Sequence, residues 1–382
     1  MKFTVLKSNL LEKLVPALGT VSTKNTITSI EGVLLETLSD GNIRLSTYDM
    51  NKGIRCILEP TEIERDGKFI INAQRFYQTI KVMPEEEITI DINDKLNCTI
   101  SSGKASFTMF AMRGEDFPSL PELTSDKGFE IDSTILKKMI SKVTHSISDQ
   151  DSKPMLRGAF FKINRDSFEL ISCDSYTLSI CKMMCDINYI GEAAGELSFI
   201  IPGHALSELV KVVGDDEKIQ FFLARKHAII KNGEDIFFTR TIDSEYIAYN
   251  KILPKDNNIF VTVNRERLLS GLERAFIIAE EKIQSSGKGY VKLNIEDNTL
   301  TLTSVSVNGK VYDEMDCYHD GESIEIAFNC RYLINNIKAS EGENLYITMK
   351  GPTQAITIEP NEKDEKFSYY YMILPLRINN DK

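Results

Sequence analysis

The chain has 382 residues, 42% of them hydrophobic, and a formal net charge of −11. That length predicts two to three domains with ordinary globular cores, and no run reaches the ~18 consecutive apolar residues of a bilayer span. The seven cysteines are scattered, Cys181 and Cys185 being the only close pair. They fit neither a disulfide framework nor a zinc site, so the expectation is a cytoplasmic protein with reduced thiols and neither metal nor cofactor.

The opening MKFTVLKSNLLEKL carries charges where a signal peptide needs an apolar stretch. It reads as a short strand, FTVL, running into an amphipathic helix over 7–18. Pro16 should end or kink that helix, because proline lacks an amide donor and clashes with the preceding turn. Strand signals follow at Gly32-Val33-Leu34-Leu35, with a turn at Ser39-Asp40-Gly41-Asn42. Phe69-Ile70-Ile71-Asn72 leads into a second helix over 73–83, and Ile88–Ile92 alternates with the period of a half-buried strand. Asp116-Phe117-Pro118-Ser119-Leu120-Pro121 reads as a stiff linker.

The same order then starts again. A strand at 129–131 precedes a helix over 133–145, then come Gly158-Ala159-Phe160-Phe161 and the alternating run Phe168–Ser172. Phe199-Ile200-Ile201-Pro202 enters a helix over 203–213, and Ala248–Pro254 forms the next linker. A third round has a strand at 259–263, a helix over 264–278, Gly289-Tyr290-Val291-Lys292, and Ile324–Asn329 before a helix over 329–339. It closes on an apolar tail from Tyr369 to Ile378.

The second helices align Phe76 with Leu206 and Leu333, Ile80 with Val210 and Ile337, and Lys81 with Lys211 and Lys338. The first helices align Ser8–Leu14 with Ser133–Met139 and with Glu266–Leu272. A repeat of this length is a whole domain and not a solenoid unit of about 20–50 residues. The fold expected is α+β: three tandem copies, at 1–123, 129–248 and 258–382, each with two helices packed on antiparallel sheets.

Charge is sorted by element. The six helical segments hold thirteen Lys or Arg against four acidic residues, a surplus of +9, which leaves −20 on the remainder. Helices favour Glu about as well as Lys, so the imbalance points to a shared basic surface facing a polyanion. Catalysis has little support. There is no phosphate-binding GxxxxGK[ST], no HExxH and no GxSxG, and the four histidines lie far apart. Glu85-Glu86-Glu87 and Asp215-Asp216-Glu217 follow helices and read as solvated turns, as do Asp49 and Asp174 after strands.

The opening MKFTV, the DFP linker at Asp116–Pro118, FIIP at Phe199–Pro202, KILP at Lys251–Pro254 and LPLR at Leu374–Arg377, set on a threefold repeat, resemble the bacterial DNA polymerase III beta subunits, the sliding clamps. The likeness runs the full length. It implies a non-enzymatic processivity factor whose three DNA-clamp domains pair head to tail with a second copy, closing a ring around duplex DNA. It implies as partners DNA without sequence preference, the chain itself as a homodimer, the replicative polymerase subunit, the clamp loader and other clamp-motif proteins, and no membrane.

On that resemblance the DNA-facing residues would be Lys7, Lys13, Lys24, Arg75, Lys81, Lys137, Lys138, Lys142, Gln150, Lys153, Lys211, Arg265, Arg274, Arg331 and Lys338. Pro154-Met155 stands where relatives carry paired tyrosines, and Gly203-His204 where they carry an Arg-Lys pair. An apolar pocket for client peptides would be walled by Leu156, Cys173, Ser175, Tyr176, Thr177, Leu178, Ile247, Lys251, Ile252, Ile373, Leu374, Pro375, Leu376 and Arg377. In that wall Ser175-Tyr176-Thr177 replaces the family's Gly-His-Arg. The contact between copies would set Phe107 and Met109 against Ile277 and Ile278. The residues alone leave a second reading open, a repeat-built protein-interaction scaffold that encircles no DNA.

Overall fold

The computed structural model describes residues 1–22, 27–150, 152–191, 195–215, 217–286, 289–307, 309–362 and 364–377. Six α-helices occur among them: α1 (Lys7–Ala17), α2 (Ala73–Val82), α3 (Ser133–Val143), α4 (Gly203–Val212), α5 (Arg265–Ser286) and α6 (Cys330–Ala339). Asparagine side chains cap α2, α5 and α6, where Asn72, Asn264 and Asn329 accept from the amides of Arg75, Arg267 and Arg331. Asp132 does the same for α3 through the amide of Thr134 at 2.9 Å. Each cap satisfies one of the four donors that a helix start leaves over. α1 lacks such a cap and borrows one, since Glu86 Oε1 accepts from the Ser8 amide at 2.8 Å. Hydrogen bonding from Ser8 lowers the Glu86 carboxyl pKa, so this glutamate is more than a solvated turn. α1 does stop at Ala17, one residue past Pro16.

One backbone bond recurs in all three copies. The first amide of the first helix donates to a glutamate carbonyl beyond the second helix: Lys7 to Glu86 at 2.6 Å, Ser133 to Glu217 at 2.8 Å and Arg265 to Glu343 at 2.8 Å. This bond fixes the repeat register. It makes Lys7, Ser133 and Arg265 equivalent, and hence Leu10, Leu136 and Leu268, then Leu14, Ile140 and Leu272, all of them buried. The match of Ser8 with Ser133 was therefore one residue off. A single-residue slip turns a helix by about 100°, enough to carry its apolar stripe off the sheet it packs on. Similarly, Val291 pairs with Phe328 as Val33 pairs with Ile71 and Ala159 with Ile201. Tyr290, not Gly289, is therefore the counterpart of Gly32 and Gly158. At those two glycines a side chain would strike Ile70 or the Ile201 carbonyl of the adjacent strand, which explains glycine there in the first two repeats, while the third carries a tyrosine.

The chain divides into two compact units. One contains Met1–Leu136, Asn188–Ala194 and His204–Thr241, and the other Lys137–Ile187, Gly195–Gly203 and Ile242–Lys382. Each holds one continuous antiparallel sheet, of 14 and 12 strands among the described residues. Both sheets run through a repeat boundary. In the first unit Lys52–Leu58 of the first repeat pairs with Asp235–Arg240 of the second, setting Ile54 against Phe237 and Gly53 against Phe238. In the second unit Thr177–Met184 of the second repeat pairs with Phe367–Ile373 of the third, setting Leu178 against Met372. Gly53 lets the Phe238 ring lie on the backbone, where any Cβ would meet it. α1 and α2 bury Leu10, Leu14, Phe76 and Ile80 on the first-repeat sheet beside Phe3, Ile88 and Ile90. Each such side chain contributes roughly 1.5–3 kcal/mol.

In the second unit His145 is buried edge-on to Tyr371. Its Nε2 lies 3.1 Å from both Asn336 Oδ1 and Ser179 Oγ. Burial pushes its pKa down to about 4. The folded state thus excludes a proton that the unfolded chain binds below about pH 6.5. Stability is full above that value and falls as the pH drops toward 4. Urea denaturation should show a loss of about 2 kcal/mol between pH 7.5 and pH 5 that a His145→Asn variant lacks; equal pH slopes for the two proteins would refute this.

Candidate functional site

The repeated lysines lie in the last turns of three helices, and all three are exposed. Lys81 lies over the Tyr77 ring. Lys211 reaches Glu208 at 3.0 Å and Lys338 reaches Glu273 at 2.8 Å. Exposed pairs of this kind are worth about 0–1 kcal/mol, so a phosphate can displace the carboxylate at little cost. Arg75 is likewise exposed. Arg331 lies over Phe276 and within 3.4 Å of Glu280.

Other predicted cations are tied into the fold. Lys7 Nζ donates to Met83 O at 2.7 Å, and its counterpart Arg265 donates to Gly342 O at 3.0 Å. Both thereby hold the chain just past a second helix. Lys13 pairs with Asp235 at 3.0 Å. Arg274, together with Arg267, grips Asp313 and lowers its carboxyl to about 2, the hydrogen bond from Arg267 being the largest cause. Lys138 and Lys142 share Glu341 at 3.0 and 2.8 Å. Burial alone would raise the Glu341 carboxyl, but the bonds from Lys142 and Lys138 more than offset it and hold it low.

Lys142 must be removed from the DNA-facing set. It is 4% exposed, donates to Ala339 O at 2.6 Å and lies over the Tyr369 ring. Lys137 is half-buried, while Gln150 and Lys153 are exposed. Lys153 Nζ lies 3.3 Å from Ser175 Oγ. Lys24 is outside the described residues.

The predicted client wall resolves into a floor and a rim within the second unit. Leu156, Cys173 and Leu178 belong to a buried cluster with Ile171, Tyr249 and Met372, against which Met155, Phe160, Tyr246, Ile247, Leu253, Ala355 and Tyr370 pack. Thr177 is also buried, and its hydroxyl donates to Ser146 Oγ at 2.8 Å. It therefore belongs beneath the wall and not on its polar rim. Ile373 is fully buried as well. The rim is formed by Tyr176, Ile252 and Leu374, which are 48%, 49% and 41% exposed. Pro375 and Leu376 are half-buried beside it, and Lys251 and Arg377 are exposed.

A tight turn shapes this rim. Asp174 Oδ1 accepts from the amides of Tyr176 and Thr177 at 2.8 and 2.6 Å, and Ser175 takes a positive φ of 80°. The Asp49 turn is its copy, accepting from Asn51 and Lys52 at 2.9 and 2.8 Å with Met50 at φ 76°. Burial raises the Asp174 pKa despite those bonds. Leu374 N donates to Tyr176 O at 2.9 Å, and the Tyr176 ring stacks on Tyr332 at 5.7 Å. Sequence reasoning missed Tyr332 and Tyr246, because neither lies in a motif; only the fold brings them to this cluster.

A second apolar patch lies in the first unit. Phe107 is exposed there, whereas Met109 is turned into the first-repeat core, so Met109 offers little surface for contact. Phe110 at 82% and Val82 at 77% exposure dominate the patch, and both escaped the sequence reading. In the third repeat Ile277 is exposed and Ile278 half-buried. Among the described residues no group of three or more His, Cys, Asp or Glu could hold a metal, and no helix is long and apolar enough to cross a membrane.

Residues 1–121, 130–247 and 250–377 match, in that order, the N-terminal, central and C-terminal domains of the DNA polymerase III beta subunit. A beta sliding clamp from Bacillus subtilis is 25% identical over 390 residues, covering 99% of this chain and 100% of the relative. The crystal structure of a DNA polymerase III beta chain from Streptococcus pneumoniae aligns with a TM-score of 0.91 at 25% identity, covering 99% of this chain and all of that one. A DNA polymerase sliding clamp structure from Bacillus subtilis gives 0.89 at 24% identity over the same shares.

The buried and exposed lysines should separate in a stability measurement. Lys142→Ala removes a buried ammonium with its bonds to Ala339 O and Glu341 and should cost about 1.5–3 kcal/mol in urea denaturation. Lys211→Ala should change stability by less than about 0.5 kcal/mol. Comparable losses for the two would contradict the assignment.

Proposed function

Because this chain belongs to the DNA polymerase III beta subunit family, we propose that it works as a sliding clamp: two chains close head to tail around duplex DNA, and the ring tethers the replicative polymerase. The repeats 1–123, 129–248 and 258–382 are its domains, and the cytoplasm is its place of work. The role asks for no catalytic residue.

The observation that carries this reading is a pair of strands that, among the described residues, are paired along one edge only over part of their length, 105–110 against 97–102 and 310–316 against 299–305. At both junctions inside the chain, the last strand of one repeat pairs with the strand that follows an Asp-type turn in the repeat before it. The two remaining strands of these kinds are Ala105–Arg113 in the first repeat and Lys310–Asp320 in the third. Repeat equivalence gives their register. Gly53, Leu178 and Lys310 correspond, since each pairs with the last strand residue before the turn, namely Tyr48, Cys173 and Val305. Phe107, Phe237 and Tyr371 correspond through their partners Ile100, Ile230 and Ile358. A second copy would therefore set Thr108 opposite Lys310 and Phe107 opposite Val311. Phe237 and Tyr371 are buried while Phe107 is half exposed, as expected of a junction whose other half lies on another molecule. Val82, Phe110 and Ile277 would be covered at the same contact. Such a heterologous contact closes a ring when the rotation per chain is half a turn.

Within the ring, Lys81, Lys211, Lys338, Arg75 and the other exposed helix cations would face the DNA, meeting phosphates without reading sequence. The acidic remainder would keep DNA off the outer surface. The rim of Tyr176, Ile252 and Leu374, with Lys153, Lys251 and Arg377 nearby, would take the apolar peptides of the polymerase, the clamp loader and other clients, raising their effective concentration at the primer end.

Enclosure has a distinctive test. Chains loaded on nicked circular DNA should remain bound in high salt and leave when the circle is linearised. Reversing the charge of Lys81, Lys211 and Lys338 together should lower loading several-fold. A pure interaction scaffold would be indifferent to both changes, and that outcome would sink the clamp reading. Register is tested separately: Thr108→Cys with Lys310→Cys should link the two chains on mild oxidation, whereas Thr108→Cys with Tyr312→Cys should link them poorly.

A further inference from the structure

The two junctions inside the chain are built from equivalent elements but filled differently. The register set by the Lys7–Glu86 and Ser133–Glu217 bonds makes Glu12 and Pro16 the counterparts of Lys138 and Lys142. Counted from the starts of α4 and α6, Gly214 stands in the place of Glu341; counted back from Glu217 and Glu343, Asp215 does. Between the second and third repeats, Glu341 accepts from Lys138 and Lys142, and the two lysines lie over the rings of Phe367 and Tyr369. These groups leave a cleft of only about 170 Å³.

Between the first and second repeats the same contact cannot form. Glu12 carries the wrong charge, Pro16 offers no side-chain donor and Gly214 has no side chain. A cleft of about 690 Å³ remains, lined by all three, with the half-buried Lys13–Asp235 pair at 3.0 Å on its wall. Unfilled space forfeits the contacts that resist opening.

We propose that the first junction is the compliant one: the contact of α1 with the end of α4 opens more readily than that of α3 with the end of α6, so the chain bends between its first and second repeats. The inference rests on the fold alone and does not need the clamp reading. Two equivalent amides report it. Val213 donates to Leu209 O at 3.0 Å and Ser340 to Asn336 O at 3.0 Å, and both residues are buried. Their bonds to the residue four back match in length, and Ser340 adds one to Ile337 O at 3.2 Å, so the change in each amide's own rate on substitution across its junction is what reports the opening.

Hydrogen exchange on the free full-length protein, corrected for intrinsic rates, should be about tenfold or more faster at Val213 than at Ser340. Combining Glu12→Lys with Gly214→Glu, which transplants part of the second junction into the first, should slow Val213 about tenfold and leave Ser340 unchanged. Lys142→Ala should speed Ser340 toward the Val213 rate. Equal protection of the two amides in the unmodified protein, or the reverse order, overturns the proposal. So does a folded transplant in which Val213 exchanges as before. Should the transplant not fold, the unmodified comparison and Lys142→Ala still decide the matter.

Discussion

The edge of an antiparallel sheet presents a row of unpaired N–H and C=O groups, and a protein must pair, cover or disrupt that row. This chain answers by pairing. Asp235–Arg240 closes the edge at Lys52–Leu58, and Phe367–Ile373 closes the edge at Thr177–Met184. A repeat boundary is therefore a continuation of sheet and not a flexible linker, and each compact unit takes in parts of two neighbouring repeats. The strands Ala105–Arg113 and Lys310–Asp320 are the remaining members of the same series. The repeat that builds the chain thus also prescribes how a second chain would meet it.

Charge follows from this architecture in two classes. A lysine one residue before the end of a second helix, as in Lys81, Lys211 and Lys338, stays exposed to water. Cations on the first helices are held by the fold, within their own repeat at Lys7, Arg265 and Arg274 and across a junction at others. Lys142 there becomes a buried tie between α3 and the end of α6, and Lys13 is drawn to Asp235. The +9 surplus on the helices is real as sequence, but only part of it is free to meet a polyanion. Part is spent on the joints that hold the repeats in line.

Much of the fold was legible because period and spacing are local. The apolar residues of α2 and the glycines at 32 and 158 are imposed by neighbours a few residues away or by one adjacent strand. What was misread turned on one-residue differences. Ser133 matches Lys7 and not Ser8, and Tyr290 stands where a glycine was expected; the backbone bond to Glu86, Glu217 or Glu343 settles the first, and strand pairing the second. The first kind of bond joins residues 78 to 84 positions apart and the second pairing residues 37 apart, so no short window of sequence displays them. The candidate site followed the same division. The resemblance located its rim at Tyr176, Ile252 and Leu374, but the stacking partner Tyr332 and the burial of Thr177 belong to the packing.

The sequence by itself determined the triplication, the α+β pattern within each copy and the concentration of basic residues on helices, since each is a matter of which residue types recur at which intervals. Tertiary structure decided which of those charges remain in water, which apolar side chains stay uncovered and which junction is filled. Those outcomes depend on what lies across from a side chain in space. Glu341 rather than solvent beside Lys142, or solvent rather than a strand against Phe107, changes the result without changing the residue itself.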